Sequence, residues 1–343
     1  MAKEISLDTL YPGPQPKDTV KLEDLMGLDI DRSLTNGIVT IRVANHGAEL
    51  TSIRLNETGR EYLWQADPKY WKRHSPVLFP IVGSVWQGKY RSKGAEYQLD
   101  QHGFARDMTF TLIDDEPDAE GNPQLLYVLR SSEETLRKFP YRFRLEIGYR
   151  LVGRSVEVIW RVMNPSREEE LKFQIGAHPA FYWPLLSQDE IQHGVEAQDQ
   201  RLAQDNARGY FRLADTAKTL TKSVITEGGC VDLSQSAEVQ LDAEGYLPLT
   251  TETFAHDALI FEQGQTPEVT LCDQERRPYL TLRSEAPLMG LWSPPSKNAP
   301  FVCLEPWYGR CDRVGYTGSY EDKDWIQTLA PLATFEARYQ IEL

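Results

Sequence analysis

The sequence predicts an all-β protein that folds as an antiparallel sandwich or barrel. From Gly37 onwards apolar and polar residues alternate, so that Val39, Ile41 and Val43 fall on one face of a strand. Similar short segments recur to the end of the chain, separated by polar or Gly/Pro turns such as residues 116–123. Many short strands at this spacing are typical of antiparallel sandwiches and barrels rather than of alternating β/α units.

The individual elements follow from the same alternation and from the turn signals between them. Residues 131–138 and 320–325 are each predicted to hold a short helix. The predicted strands are, in chain order, residues 38–43, 59–65, 89–98, 108–114, 124–131, 142–152, 155–164, 171–176, 237–241, 257–262, 268–273, 278–283, 288–292, 301–304 and 333–342.

The start of the alternating pattern divides the chain into two predicted regions. Residues 1–34 are interpreted as an N-terminal extension, because Tyr-Pro-Gly-Pro-Gln-Pro is a turn or linker signal, with a short helical turn at residues 22–28. Residues 35–343 are predicted to form one domain, since no composition break divides them and all-β domains often exceed the average length.

The charge balance excludes several classes of partner. The 37 basic and 51 acidic residues give a net charge of −14, which argues against nucleic acids and anionic membranes, because both bind through basic patches. No apolar run reaches membrane-spanning length, and the first ten residues lack the apolar core of a signal peptide. The four cysteines form no Cys-x-x-Cys pair and are expected to be free thiols. We therefore expect a cytoplasmic protein.

Common motifs for cofactors, metals and nucleophiles are missing from the sequence. It contains no G-x-G-x-x-G, no G-x-x-x-x-G-K-[ST], no G-x-S-x-G and no H-E-x-x-H. The six histidines are dispersed. We therefore expect neither a cofactor nor a metal ion.

Four polar residues stand out because each lies in an apolar, aromatic, strand-like setting. They are His102, His178, Asp257 and Glu305. A charged or polar group in such a setting costs free energy unless it finds a partner. One such residue is usually structural, but four of them, with Trp and Tyr beside two, indicate a shared cleft for acid–base chemistry on a sugar ring.

Each of the two strongest candidates also has a structural interpretation. His178 precedes Pro179 and is either a core imidazole with one backbone partner or a group that holds and donates a proton near neutrality. Glu305 is either a strand-end carboxylate paired with Arg310 or Arg313, or a partly desolvated general base with a raised pKa.

The remaining candidates have similar alternatives. His102 and Arg106 share one short loop, which either binds substrate or is a turn capped by Asp107. Arg73 is either a substrate contact or a rim charge that lies over Trp71.

Asp257 is either an exposed charge at a strand edge or an acceptor for sugar hydroxyls. Period-two counting places Leu259 and Phe261 on the same strand face, which favours a half-buried position.

Several of these segments together resemble the aldose 1-epimerase (galactose mutarotase-like) family, and most closely its LacX-type branch. The resemblance covers roughly residues 36–343 and implies a β-supersandwich of large antiparallel sheets with a few short helices and an open cleft. The matching segments are NHGAELTSI (45–53), YWKRHSPVLFPIVG (70–83), QHGFARD (101–107), GAHPAFYW (176–183) and CLEPWYGRCD (303–312).

The resemblance also implies roles for single residues. His178 matches the general acid that acts on the ring oxygen, and Glu305 matches the general base that removes the proton of the anomeric hydroxyl. His102 and Asp257 match residues that bind sugar oxygens. From this, we expect the functional atoms of His178 and Glu305 to lie on opposite sides of a sugar-sized space, and a bell-shaped pH profile.

The arginine of the family's galactose enzymes has no match, because the aligned position here is Ser84. Arg73 resembles instead the arginine of hexose-phosphate epimerase relatives, and Arg106 lies near it. The substrate is therefore expected to differ from a strict galactose preference.

The sequence thus favours an aldose 1-epimerase that acts on a small-molecule aldose, as a monomer or homodimer. Three alternatives stay open: a hexose-phosphate 1-epimerase, a non-catalytic sugar-binding or regulatory module on the same fold, and a glycosidase that uses Glu305 and Asp257 as its two carboxylates.

Overall fold

Antiparallel strands dominate the computed structural model, which describes residues 30–185, 208–213, 219–250 and 252–343. The strands are β1 (Asp31–Thr35), β2 (Val39–Ala44), β3 (Glu49–Leu55), β4 (Arg60–Glu61), β5 (Val77–Leu78), β6 (Lys89–Ser92), β7 (Ala95–Gln98), β8 (Thr111–Asp114), β9 (Gln124–Arg130), β10 (Arg144–Val152), β11 (Ser155–Met163), β12 (Leu171–Phe173), β13 (Ile175–Ala177), β14 (Ala180–Tyr182), β15 (Tyr210–Leu213), β16 (Thr219–Ile225), β17 (Val231–Gln240), β18 (Tyr246–Pro248), β19 (Leu259–Phe261), β20 (Glu268–Cys272), β21 (Pro278–Ser284), β22 (Leu288–Trp292), β23 (Phe301–Tyr308), β24 (Gln327–Leu329) and β25 (Thr334–Glu342).

Helices are short in the described residues. The α-helix α1 (Glu133–Lys138) begins after Ser132, whose side chain and backbone form a reciprocal capping box with Thr135. Single 3-10 turns occupy Trp86–Gly88, Ala105–Asp107, Glu227–Gly229 and Tyr320–Asp322.

The strands form two large sheets and one smaller sheet. The nine-stranded sheet has the order β18-β15-β20-β21-β25-β11-β10-β9-β8, and the four-stranded sheet has the order β1-β2-β3-β4. The eight-stranded sheet has the order β17-β16-β19-β22-β23-β13-β5, with β14 also paired to β23. Two-stranded pairs β6-β7 and β12-β24 complete the pairing.

One apolar core joins the sheets. Trp160 of the nine-stranded sheet, Ile41 of the four-stranded sheet and Leu304 of the eight-stranded sheet belong to the same buried cluster. Because strand side chains alternate between faces, Val302 and Leu304 point into this core while Glu305 and Trp307 point to the opposite face of β23. The eight-stranded sheet therefore has one face free to carry a site.

The predicted all-β class is confirmed, and many elements coincide with their predicted ranges. Strand β22 has the predicted bounds, and α1 lies within the predicted helix 131–138. All four cysteines are buried free thiols, as expected. In the described part of the chain, no helix is long and apolar enough to cross a membrane.

Other elements differ from the predictions. The segment 89–98 is two strands, because Lys93 and Gly94 both adopt positive φ and turn the chain. Strand β23 continues to Tyr308 instead of ending at residue 304. Strand β1 begins at Asp31, within the segment that was interpreted as an extension. The predicted turn at residues 22–28 lies outside the described residues.

Candidate active site

A cleft of about 480 Å³ lies on the free face of the eight-stranded sheet. All six residues that the sequence singled out line it: Arg73, His102, Arg106, His178, Asp257 and Glu305. The other lining residues are Trp71, Gly83, Gln101, Ile225, Gly229, Ala258, Ile260, Trp292, Pro295, Trp307 and Cys311.

The pairing of β13 and β14 with the same strand, β23, places His178 beside Glu305. Strand β14 pairs with β23 through residues 301–303, and β13 pairs with it through residues 307–308. His178 and Pro179 form the connection between β13 and β14, so they lie alongside residues 304–306. The Leu304 N–H donates to the carbonyl of Pro179 at 3.2 Å, which satisfies the backbone inside the break between β13 and β14.

The same break explains why Pro306 is tolerated inside β23. A proline in a central strand removes a ladder hydrogen bond. The gap between β13 and β14 leaves no ladder bond for Pro306 to lose on that side. Glu305 is consequently a mid-strand residue and not a strand-end carboxylate, because β23 continues past the predicted end at residue 304.

His178 and Glu305 are in direct contact. The His178 Nε2 and Glu305 Oε2 atoms are 3.3 Å apart, and Glu305 is 1% exposed. The expectation that these atoms lie on opposite sides of a sugar-sized space is therefore wrong, because the register of β13 and β14 with β23 puts residue 178 opposite residue 305 on one face of the sheet. The structural alternative for Glu305 is also wrong, since Arg310 and Arg313 both pair with Asp324 instead.

Burial shifts the pKa values of this pair in opposite directions. It raises the pKa of the Glu305 carboxyl well above its usual range, and the charge of Asp257 adds to this effect. Burial, together with the smaller effects of the Arg106 and Arg73 charges, lowers the pKa of His178 to about 3. Both shifts favour the uncharged form of the side chain.

Buried polar atoms without a protein partner collect at the bottom of the cleft. Within the described residues, His178 Nδ1, Glu305 Oε2 and Trp307 Nε1 are buried and form no hydrogen bond. Such atoms cost free energy in a folded protein unless a ligand or water satisfies them. Their position makes the cleft suited to a small polar ligand.

His102 presents a hydrogen-bond donor to the cleft. Its Nδ1 accepts the Gly83 N–H at 3.1 Å, so the proton of the neutral ring is on Nε2. Burial and the neighbouring His178 and Arg106 lower the pKa of His102 well below its ordinary value, which keeps the ring neutral. The loop can approach so closely because Gly103 has no side chain: a Cβ there would lie 2.3 Å from the carbonyl oxygen of Phe79.

Asp257 lines the cleft from a turn and not from a strand. It has a φ of +71° and precedes β19, and its carboxylate accepts the N–H of Ala258 at 2.8 Å. The prediction that it shares a strand face with Leu259 and Phe261 is wrong, because this self-capping turn ends before the strand starts. The carboxylate still has an oxygen available for a hydroxyl.

Two arginines converge at the rim of the cleft. Arg73 forms an ion pair with Asp107 at 2.8 Å, and Arg106 approaches the same carboxylate at 3.7 Å. Arg106 also donates to the carbonyl of Gln101 at 2.7 Å. Asp107 therefore neutralises one of the two guanidinium groups and holds both in place.

Aromatic rings form the wall beside His178. Trp71 stacks on the imidazole with ring centroids 4.8 Å apart, and Trp292 meets it edge-on at 5.4 Å. Trp307 also lines the cleft. Trp292 was not among the candidates from the sequence, and Trp71 entered only as the surface beneath Arg73. Trp183 is fully buried in the core and does not line the cleft.

Two glycines make room for Trp307. Gly176 and Gly290 lie on the strands that flank β23, and a Cβ at either position would come within 2.6 Å of the indole. Because neither glycine has a positive φ, the indole is the reason for glycine at both positions. The sequence carries no signal that links these residues.

The chain is similar to several known proteins. The family model for aldose 1-epimerase matches residues 32–339. Protein LacX (chromosomal) of Lactococcus lactis subsp. lactis is 30% identical over 317 residues, which cover 90% of this chain and 98% of that protein.

Two solved structures also superpose over most of the chain. A galactose mutarotase related enzyme from Lactobacillus acidophilus has a TM-score of 0.79 at 28% identity, covering 91% of this chain and 97% of that one. A galactose mutarotase-like protein from Lactobacillus casei ATCC 334 has a TM-score of 0.77 at 26% identity, covering 91% and 99%. These superpositions confirm the β-supersandwich expected from the sequence motifs.

Proposed function

The chain belongs to the aldose 1-epimerase family, as a LacX-type member, and from this premise we propose that it interconverts the α and β anomers of an aldose. In this reaction one group takes the proton of the anomeric hydroxyl while another gives a proton to the ring oxygen. The ring opens, the C1–C2 bond rotates, and the ring closes on the other face. Under this proposal Glu305 and His178 are the two groups.

The contact between His178 and Glu305 carries the proposal. The ring oxygen and the anomeric hydroxyl oxygen are bonded to the same carbon, so the acid and the base have to reach one small region of the sugar. The His178 Nε2 and Glu305 Oε2 atoms, which are 3.3 Å apart at the bottom of the cleft, are suited to this. A module that only binds sugar has no need of an adjacent acid and base.

The opposite pKa shifts are compatible with this chemistry. A protonated Glu305 beside a neutral His178 holds the same single proton as a carboxylate beside an imidazolium. Either tautomer therefore offers one donor and one acceptor to the two sugar oxygens. During ring opening one residue of the pair gives its proton to the ring oxygen while the other takes the proton of the anomeric hydroxyl, which converts one tautomer into the other. Ring closure moves both protons back, so the pair returns to its starting state.

The remaining cleft residues have positioning roles in this proposal. The neutral His102 donates from Nε2 to a sugar oxygen, and Asp257 accepts from hydroxyl groups. Trp307 and Trp71 supply apolar surface for the C–H face of the ring. None of these steps requires a bound cofactor.

The test follows the anomeric equilibration of a freshly dissolved α-aldose by polarimetry or exchange NMR. Glu305→Gln is expected to lower the rate at least about 100-fold, since a general base typically contributes about 10²- to 10⁴-fold, while sugar binding stays measurable. Glu61→Gln is the matched control, because Glu61 is also a buried carboxyl but accepts hydrogen bonds from Ser52, Ile53 and Leu63 in another sheet.

The outcomes separate the candidate functions. Near-parental turnover in Glu305→Gln contradicts the general-base role. Sugar binding by the parent without any acceleration indicates a non-catalytic module. Release of an aglycone from aryl glycosides indicates a glycosidase that uses Glu305 and Asp257.

The two rim arginines support a finer proposal about the substrate. We propose that Arg73 contacts the sugar and extends the specificity to anionic aldoses, because two guanidinium groups share the single Asp107 carboxylate. Arg73→Ala is expected to lower kcat/KM for glucose 6-phosphate about tenfold more than for galactose or glucose. Arg42→Ala is the control, since Arg42 forms a similar exposed pair with Asp31 in another sheet.

A parent enzyme that strongly prefers neutral galactose, and whose specificity Arg73→Ala does not alter, contradicts this substrate proposal. Arg73 would then act only as the ion-pair partner of Asp107.

A further inference from the structure

Three potential metal ligands meet under the floor of the cleft. His178, Cys303 and Glu305 each place one donor atom within 4.8 Å of the others, and all three are buried. In the part of the chain that the structure describes, this is the one group of three His, Cys, Asp or Glu residues with such proximity. Cys303 has no role in the proposed reaction.

The strand pairing produces this cluster. Cys303 and Glu305 are two residues apart on β23, so their side chains share one face. Cys303 pairs with Ala180, the first residue of β14, and His178 lies two residues before Ala180 in the break of the ladder. All three donors are therefore positioned by backbone that is hydrogen-bonded in the central part of a sheet.

We propose that His178, Cys303 and Glu305 form an inhibitory binding site for Zn²⁺ and similar divalent cations. Imidazole nitrogen, thiolate sulfur and carboxylate oxygen are the ligands that zinc takes in proteins, usually three of them with a fourth position left open. The open position here faces the cleft, because His178 and Glu305 both line it.

The distances suit a tetrahedral ion. With metal–ligand bonds of about 2.0–2.3 Å, neighbouring tetrahedral ligands lie about 3.3–3.8 Å apart. The 3.3 Å between His178 Nε2 and Glu305 Oε2 is already in this range. The three ligand atoms lie within 4.8 Å of one another, so the Cys303 sulfur has to move by roughly 1 Å to reach the tetrahedral ligand–ligand distance.

If the proposed function holds, a cation bound at this site inhibits the anomerisation. A bound cation takes the lone pairs of Glu305 and His178 that the anomerisation requires, so metal and sugar turnover exclude each other. Glu305 Oε2 forms no hydrogen bond in the described residues, so the cation breaks none at that oxygen and takes the place of the proton that the pair holds.

The first experiment measures binding without any use of enzyme activity. The purified protein is titrated with Co²⁺, and the spectra are recorded for the parent, Cys303→Ala and the control Cys272→Ala, another fully buried thiol on β20. We expect a thiolate-to-metal charge-transfer band and intense tetrahedral d–d bands in the parent and in the control, displaced by Zn²⁺. Cys303→Ala is expected to lose the charge-transfer band and to bind at least tenfold more weakly.

Weak octahedral Co²⁺ spectra in the parent, or an unchanged band in Cys303→Ala, overturns the proposal. If Cys303→Ala does not fold, the combined variant of Cys230, Cys272 and Cys311 to alanine decides, because only Cys303 remains as a thiolate donor. Retention of the charge-transfer band in that variant supports the site, and its loss overturns it.

The second experiment adds the activity. Zn²⁺ is expected to inhibit the parent in competition with the sugar, and a chelator restores the rate. Cys303→Ala keeps its turnover and needs at least tenfold more Zn²⁺ for half inhibition. If the parent protein does not catalyse anomerisation at all, the proposed function is contradicted but the metal-site proposal is not. The Co²⁺ spectra test the metal site independently of any activity.

Discussion

Replacing Gly290 by alanine tests how the sheet holds the floor of the cleft. Gly290 pairs with Glu305 across the β22–β23 ladder. A Cβ there would lie 2.6 Å from two atoms of the Trp307 indole, whereas ordinary contact begins at 3.4 Å, so the ring must retreat by roughly 0.8 Å. Gly176 leaves no spare room on the other side, because a Cβ there would also lie 2.6 Å from the ring.

The expected effects follow from this displacement. Overpacking of a tightly packed site typically costs about 1–3 kcal/mol, so we expect the free energy of unfolding to fall by that amount in Gly290→Ala. A misplacement of about 1 Å in a catalytic site can cost about 10²-fold, so kcat/KM for anomerisation is expected to fall about 10- to 100-fold. Denaturant unfolding and polarimetry measure the two effects.

Two comparisons isolate the cause. Gly148→Ala in β10 is the matched control, because the nearest atom to its new Cβ, on Leu126, lies at an ordinary 3.4 Å. In a Trp307→Phe background the ring is smaller, and Gly290→Ala is expected to cost much less there. An equal loss of stability in both backgrounds refutes the steric explanation.

Three further predictions concern pH and buried charge. The rate is expected to fall in acid as the His178–Glu305 pair gains a second proton, near the His178 pKa of about 3, and to fall in alkali as Glu305 loses its raised-pKa proton. Because the charge of Asp257 raises the pKa of Glu305, Asp257→Asn should move the alkaline limb of kcat/KM to lower pH, and an upward shift contradicts this. Lys323 pairs with the buried Asp312 at 2.6 Å, so Lys323→Met is expected to lower the free energy of unfolding by about 3–5 kcal/mol, and a change below about 1 kcal/mol in thermal or denaturant unfolding contradicts it.

The residues that line the cleft could be predicted from the sequence because they are polar groups within apolar, strand-like segments. His178 and Glu305 are polar groups in apolar strands, and such groups survive only where they are satisfied or used. Period-two alternation similarly predicted strands such as β22, since each strand has one face in the core. These are local signals, which a single sequence carries.

The geometry within the cleft could not be predicted because it depends on distant partners. Glu305 was expected just beyond the predicted strand 301–304, yet β23 continues to Tyr308 because the gap between β13 and β14 accommodates Pro306. Asp257 was counted into a strand because Leu259 and Phe261 continue the alternation, but its positive φ depends on the turn that precedes it. The local alternation of apolar and polar residues specifies neither the partner strand of Glu305 nor the turn geometry at Asp257.

The register of the sheet explains how the pair is held in place. The pairings of β13 and β14 with β23 share one register, which puts residue 178 opposite residue 305 on the same face of the sheet. The break between β13 and β14 satisfies its own backbone, since the N–H groups of His178 and Leu304 donate to the carbonyls of Pro76 and Pro179. The polar atoms that stay without partners are thus side-chain atoms aimed at the cleft, each costing about 1–3 kcal/mol. That cost is offset by the core beneath the sheet and is relieved when water or a bound sugar supplies the missing hydrogen bonds, so these atoms favour a polar ligand in the cleft.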